Sequence, residues 1–477
     1  MSEQLTLPES EEQLPKKMRW FDGFAMSMTM PAALIATLGA SIADLGGWGA
    51  AFLWAVSMII AMGVNWIYTE LATMFPESSG GITHYAAEAW KKRAPWVAPL
   101  ASVGYWFPWG TNLATYGAIT GALIQAQWFP ESTWVVNLGP IELNLPIVIG
   151  IAVILFMYLI NIVGVRMTMA FVYITAGILM IPLFAFIVLP LFSGQWAPAE
   201  LTWNLHGMEG LHKALVWLYI MAWTTFGIEV CATFAPEYRD SVKDTTKAIK
   251  AAVLFCMGVF FLIPITLGGY AGEAAIQENP ATFFVDSFGS LVGGASDIMV
   301  LCLIASLLLI MTTSVADASR VLFNMGKSGI TVRAVGKLNK RGVPVRALNV
   351  MVVLNIVVLV VLQSPLAIIV TGNLGYILTH IFAVSGFFML RKDRPNATRP
   401  IKLAPWFVPL SLVLTAFMVV ILVVGATGFS VTGYGGYKEL AIALGVLAAG
   451  VVIWIFVQRD DARKAAVRQP QDAPEQK

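Results

Sequence analysis

Charge is scarce in this sequence. Only 12% of its 477 residues are Asp, Glu, Lys or Arg, against about 25% in an ordinary soluble domain. Cysteine is scarce too. Cys231, Cys256 and Cys302 all lie in apolar segments, which argues for small buried hydrophobes and against a disulfide or metal framework. There is no phosphate-cradling glycine loop, no cluster of metal ligands and no nucleophile beside a base. An enzyme and a nucleotide-driven pump are therefore not expected, and neither is a cofactor. Basic residues are spread out and not gathered into a reading motif, so nucleic acid is not an expected partner. Alternating strands of about ten residues are missing, which excludes a membrane barrel. The polar, acidic start, MSEQLTLPESEEQLPKK, lacks the layout of a cleaved signal peptide. The first apolar segment is expected to act as its own insertion signal.

What is abundant is apolar sequence, at 58%. It comes in runs of about 20 residues, the length at which a helix crosses about 30 Å of hydrocarbon. The runs predict an all-α polytopic membrane protein with twelve spans, near 23–44, 49–73, 97–125, 146–165, 168–192, 213–235, 248–271, 291–325, 346–363, 366–390, 405–426 and 438–457. Placing both termini in the cytoplasm puts 28 of the 30 Lys and Arg on the inner side, leaving only Lys213 and Lys438 outside. An odd number of spans would destroy that positive-inside pattern. Both tails, 1–22 and 458–477, are short and polar and are read as disordered.

Two spans carry helix-breaking features. Span 1 contains Pro31 followed by small residues and Gly39; span 6 contains WTTFGIEV (223–230), where Gly227 precedes a lone acid, Glu229. These spans are equivalent if the chain holds two repeats of five spans, and an odd-numbered repeat must be inverted in its second copy. Inverted repeats with interrupted helices are a transporter architecture. An interrupted helix exposes backbone groups at mid-depth, and a polar substrate or ion can satisfy them. A carboxyl in an apolar span is costly and so is read as functional. It can load and release a proton as the site alternates between faces. The bland reading of Glu229 is a neutral acid tying span 6 to a neighbour.

The segments TELATMFPESSGGITHY (69–85), AWTTFGIEVCATFAPEYRD (222–240), ASRVLFNMGKSGI (318–330), KLNKRGVPVRAL (337–348) and RKDRPNATRPIK (391–402) fall in order on predicted cytoplasmic ends. Together they resemble the amino acid–polyamine–organocation superfamily of transporters, over about residues 20–457. That resemblance implies a five-plus-five inverted-repeat, LeuT-like core (23–192 and 213–390) plus two C-terminal helices (405–457). It also implies a substrate site between spans 1, 3, 6, 8 and 10. The family pattern W-x-x-x-G-x-E matches Trp223, Gly227 and Glu229, so Trp223 would close over the substrate and Glu229 would sense protons or couple the gates. Phe226, beside Gly227, is grouped with them. One departure stands out: many members have Gly-Ser-Gly in span 1, where this chain has Met30, Pro31, Ala32 and Ala33. Pro31 offers no amide, so the nest for an α-carboxylate is altered. An amine, a polyamine or an unusual amino acid stays open as substrate.

Other candidates come from the residues themselves. Tyr105, Trp109 and Asn112 in YWFPWGTN (105–112) suit an ammonium group, the aromatics by cation–π attraction; packing against spans 8 and 10 is the alternative. Ser314 lies where the family's span 8 faces the substrate. Asp317 is read as paired with Arg320 on one helical face, or as a second proton or cation site. His380 is read as a helix–helix hydrogen bond, Asn65 as at most an interhelical one, Asp44 as interfacial and Glu70 as meeting the basic loops. The expectation is a secondary active transporter of an amino acid or related organic amine in a bacterial inner membrane, driven by proton symport or exchange. Sodium coupling is disfavoured, although the lysine that replaces sodium in span 5 of some relatives is missing from 168–192. An uncoupled facilitator and a transport-dead sensor are the alternatives.

Overall fold

The computed structural model describes residues 16, 18–75, 80–139, 141–163, 165–339, 342–432 and 435–468. Most of the two expected tails, and the PESS stretch of the motif after span 2, lie outside the described residues. Among the described residues, eleven helical stretches are long and apolar enough to cross a membrane. Val97–Trp128 makes the twelfth long helix. Its middle carries Pro108, Thr111, Asn112 and Thr115, and it is buried on nearly all sides from Ala101 to Gly121. A helix packed in protein can keep polar groups that a lipid-facing one cannot.

The spans follow the apolar runs. Span 1 is Trp20–Ser27 plus Thr29–Leu45, span 2 Gly47–Met74, span 3 Val97–Trp128, span 4 Leu145–Val163, span 5 Val165–Phe192 and span 6 Gly207–Phe226 with its continuation to Thr233. Spans 7 to 12 are Ser241–Ala271, Ser296–Lys327, Val345–Leu362, Pro365–Asp393, Phe407–Thr427 and Tyr437–Arg468. Span 8 starts five residues later than expected, because Gly293, at φ +53°, ends a separate short helix, Phe283–Val292. The stretch 458–468, expected to be disordered tail, instead continues the span 12 helix. It is held there by Arg333 on Asp461 and by Gln458 Nε2 donating to the Gly329 carbonyl at 3.1 Å. A short antiparallel hairpin, Val135–Leu138 with Ile141–Asn144, joins spans 3 and 4 and has no counterpart in the sequence-based expectation.

Burial ranks the spans. The apolar windows of spans 4, 11 and 12 are 28%, 28% and 17% buried, while those of spans 1, 6 and 10 reach 94%, 89% and 89%. Spans 1, 6 and 10 are therefore central, and span 3, with spans 8, 4 and 9 on its other sides, packs along span 10. That contact is glycine-made. A Cβ on Gly104 would stand 2.5 Å from the Gly375 carbonyl oxygen, and one on Gly372 would stand 2.8 Å from Pro108 Cβ. Close backbone approach is how membrane helices gain contact without a hydrophobic driving force.

The helix interruptions are shallow. In span 1 the break falls at Met28, not at Pro31, which sits inside the helix Thr29–Leu45. Proline clashes with the carbonyl four residues back and gives it no N–H. That carbonyl belongs to Ser27, so the break lands one turn earlier than the proline. In span 6, Gly227–Glu229 tightens into a 3-10 turn, and the Val230 N–H bonds to the Gly227 carbonyl.

Candidate functional site

The two interruptions face one another. Ser27 Oγ and Cys231 Sγ lie 2.6 Å apart, and both are buried. A Cβ on Gly227 would run into the Met30 sulfur, with Trp109 Cζ2 at 3.7 Å. Glycine at 227 is what lets span 6 press against span 1 and span 3 at this depth.

Four aromatic rings close a loop around the span 6 turn. Tyr105 meets Trp109 at 6.1 Å between centroids, Trp109 meets Trp223 at 6.1 Å, Trp223 meets Tyr376 at 5.2 Å, and Tyr376 returns to Tyr105 at 6.1 Å. Spans 3, 6 and 10 each contribute. Span 3 supplies Tyr105 and Trp109 on one face, four residues apart. Glu229 sits beside this ring. The Tyr376 hydroxyl donates to its Oε1 at 2.6 Å. Trp109 Nε1 lies near the Glu229 carboxyl and Trp223 Nε1 near the Tyr116 hydroxyl, but neither pair makes a well-formed hydrogen bond, and all are buried. Buried polar atoms nearly always have well-formed partners, so this loosely satisfied cluster is where a polar ligand would gain most. Trp223, at 6%, is the most exposed member of the ring, and Glu229 is 1% exposed. The arrangement is thus sealed from solvent.

Tyr376 carries no sequence signal of its own. It lies in TGNLGYILTH, and only its tight glycine packing against span 3 aims it at Glu229. One turn on, His380 packs against it at 4.5 Å and against Phe226 at 5.0 Å. The Tyr68 hydroxyl and His380 Nδ1 are 2.6 Å apart. His380 therefore links spans 2 and 10, the helix–helix hydrogen bond expected of it.

The remaining predicted residues divide. Asn112 Nδ2 donates to Ser314 Oγ at 2.8 Å, tying span 3 to span 8. Asp317 lies within Coulombic range of Glu229. Arg320 reaches Glu237 at 3.4 Å and the Ala316 carbonyl at 3.0 Å. Pro31 faces an apolar cavity with Leu34, Leu179, Phe186 and Leu303, away from the aromatic ring. Ala32 and Ala33 are fully buried. Asn65 donates to Ala61 of its own helix at 2.9 Å, so it makes no interhelical bond there.

The membrane ends hold the frame. Asp44, expected to be merely interfacial, accepts from Lys213 at 2.8 Å and from Trp217 Nε1 at 2.5 Å, joining spans 1 and 6 at one membrane end. At the other end the backbone of Met18 pairs with Tyr238, joining the opposite ends of the same two spans. Glu70 receives Arg391 through two nitrogens, at 2.5 and 3.1 Å, and the Leu403 N–H at 2.7 Å. Arg399 Nε also approaches Glu70, at 3.1 Å. The first and last motifs thus interlock as expected for Glu70.

The family profile described as "Amino acid permease" matches residues 18–455, nearly the entire chain. The chain belongs to the amino acid permease family. This permease is 23% identical over 482 residues to the gamma-aminobutyric acid permease of Bacillus subtilis (strain 168), covering 96% of the chain and 97% of the relative. It is 27% identical over 272 residues to the D-serine/D-alanine/glycine transporter of Escherichia coli (strain K12), covering 54% of each. The superfamily resemblance read from the motifs is thereby confirmed, and the permease is an integral membrane protein of amino acid transport and not an enzyme.

Proposed function

We propose that this permease is a secondary active transporter that works by alternating access, taking a small amino acid or related organic amine into the ring formed by Tyr105, Trp109, Trp223 and Tyr376. The observation that carries the reading is the buried Glu229 carboxyl, one oxygen of which lacks a well-formed hydrogen bond, beside four aromatic faces. A substrate ammonium gains both a carboxylate and cation–π attraction there. Trp223, the most exposed ring member, is the lid on the outer side. Spans 1–5 and 6–10 form two inverted repeats, 23–192 and 213–390, whose first helices carry the interruptions. Spans 11 and 12 stand outside this core, and both termini face the cytoplasm of a bacterial inner membrane. Glu229, with Asp317 in Coulombic range, takes up and releases the coupling proton in symport or exchange.

The test is uptake into proteoliposomes under an imposed pH gradient, starting with gamma-aminobutyrate because a relative spanning the full length is named for it. Glu229→Gln is expected to flatten the pH dependence. An unchanged pH profile in that variant would reject the coupling role. Counterflow checks the carrier cycle: trans-stimulation by unlabelled substrate is expected, and its absence would point to an uncoupled facilitator.

A further inference from the structure

The membrane end rich in basic residues is not uniform. Six of its arginines are matched with carboxylates: Arg391 and Arg399 with Glu70, Arg394 with Glu88, Arg93 with Asp393, Arg320 with Glu237 and Arg333 with Asp461. Lys243, Lys247 and Lys250 stand apart from that lattice. All three are exposed. Among the described residues, none of them takes part in an ion pair. They share one face of span 7, at intervals of four and three residues. With Thr246, Leu254 and Ile401 they border a groove of about 430 Å³.

The groove is amphipathic along the membrane normal. Three lysines, Lys243, Lys247 and Lys250, line it. Leu254, one turn deeper than Lys250, is 64% exposed on the flank that faces lipid. Ile401, from the loop after span 10, adds apolar surface on the other side. The nearest acids in sequence are engaged with backbone. Asp240 Oδ1 accepts the Lys243 N–H at 2.9 Å, and Asp244 Oδ2 accepts the Asp240 N–H at 3.2 Å. Lys247 is fixed beside the groove by the Trp20 ring, 4.1 Å from its Nζ.

We propose that this groove binds the phosphate headgroup of an anionic membrane lipid, whose acyl chain lies along Leu254. Three unneutralised lysines at a bilayer surface recognise a phosphodiester by charge-assisted hydrogen bonds. The apolar flank favours a lipid over a free anion. The proposal is independent of the substrate site and of which compartment this end faces.

Native mass spectrometry of the full-length protein in detergent tests it, with phosphatidylglycerol, phosphatidylcholine and inorganic phosphate as probes. Phosphatidylglycerol is expected to bind several-fold more tightly than phosphatidylcholine. Each of Lys243→Gln, Lys247→Gln and Lys250→Gln is expected to weaken it about fivefold, the equivalent of about 1 kcal/mol per basic residue at the surface. The triple variant loses on the order of a hundredfold by the same rule. Lys438→Gln, at the opposite membrane end, leaves binding unchanged, and the triple Lys→Arg variant retains it. Should the triple Gln variant fail to elute as a folded species, the single variants and a salt titration of the wild type decide, since binding must weaken as the Debye length shrinks. Equal binding of phosphatidylcholine, unchanged binding in the Gln variants, or displacement by inorganic phosphate at matched concentration would each overturn the proposal.

Discussion

Replacing Tyr376 by Phe deletes one oxygen and keeps the ring. Glu229 accepts one well-formed protein hydrogen bond, from Tyr376 to Oε1 at 2.6 Å, while Trp109 lies near the carboxyl without forming one. The variant therefore leaves a fully buried carboxyl without a well-formed hydrogen bond. Leaving a buried polar group unsatisfied costs about 1–3 kcal/mol, a factor of about 5 to 150 in an equilibrium. The ring contacts to Trp223 and Tyr105, at 5.2 and 6.1 Å, survive because Phe keeps the same face. Tyr376→Phe is thus expected to weaken substrate affinity, or slow uptake, by about one to two orders of magnitude. The same cost should also appear as a lowered melting temperature in a variant that still folds. The decisive assay is a double-mutant cycle in proteoliposomes with Glu229→Gln. If the hydroxyl acts only through the carboxyl, the double variant is no worse than Glu229→Gln alone. Independent, additive losses would refute the reasoning, and so would wild-type transport in Tyr376→Phe.

Other outcomes follow from the frame. Gly375→Ala puts a Cβ 2.7 Å from Gly104 Cα, and overpacking against backbone should lower stability by about 1–3 kcal/mol in thermal melts. Glu70→Ala strands the largely buried Arg391 and Arg399; losing one partner of such a network costs about 3–5 kcal/mol, read as a lowered melting temperature or lost expression. Asp44→Asn and Lys213→Gln should show a coupling of about 1–3 kcal/mol in a stability cycle, since they break one shared contact. At the membrane end rich in basic residues, desolvation pushes the Glu88 carboxyl up, but its bond from Arg394 and the charges of Lys91, His84 and Arg394 outweigh this and hold it below its ordinary value of 4.5. That stabilisation is complete above the ordinary value and is lost as pH falls through the lowered one. Glu88→Gln should remove this acid limb from a melting-temperature profile.

The spans were legible because lipid imposes a length and a polarity on each of them, and all twelve lie near the apolar runs. Span 3 shows the rule from the other side. Its polar middle survives because protein, not lipid, covers it. The site was half legible. Trp223, Gly227 and Glu229 announce themselves as a motif, and Tyr105 and Trp109 as an aromatic cluster without charge. Tyr376 was invisible, since a tyrosine among glycines in a span has many uses, and only the span 3–span 10 contact aims it. Pro31 was misplaced for a reason local to the backbone: its effect is felt at Ser27, four residues before it. Arg320 has a neighbour that spacing along one helix cannot show, Glu237 on the adjoining loop.

The glycine seam between spans 3 and 10 has one more consequence. Contacts made by backbone have no side chain to bend, so these two helices behave as a single stiff plate. Tyr105, Trp109 and Tyr376 ride on that plate and keep their mutual spacing however the protein flexes. In the alternating-access cycle we propose, the wall that moves is then the stretch of span 6 that bears Trp223 and Glu229.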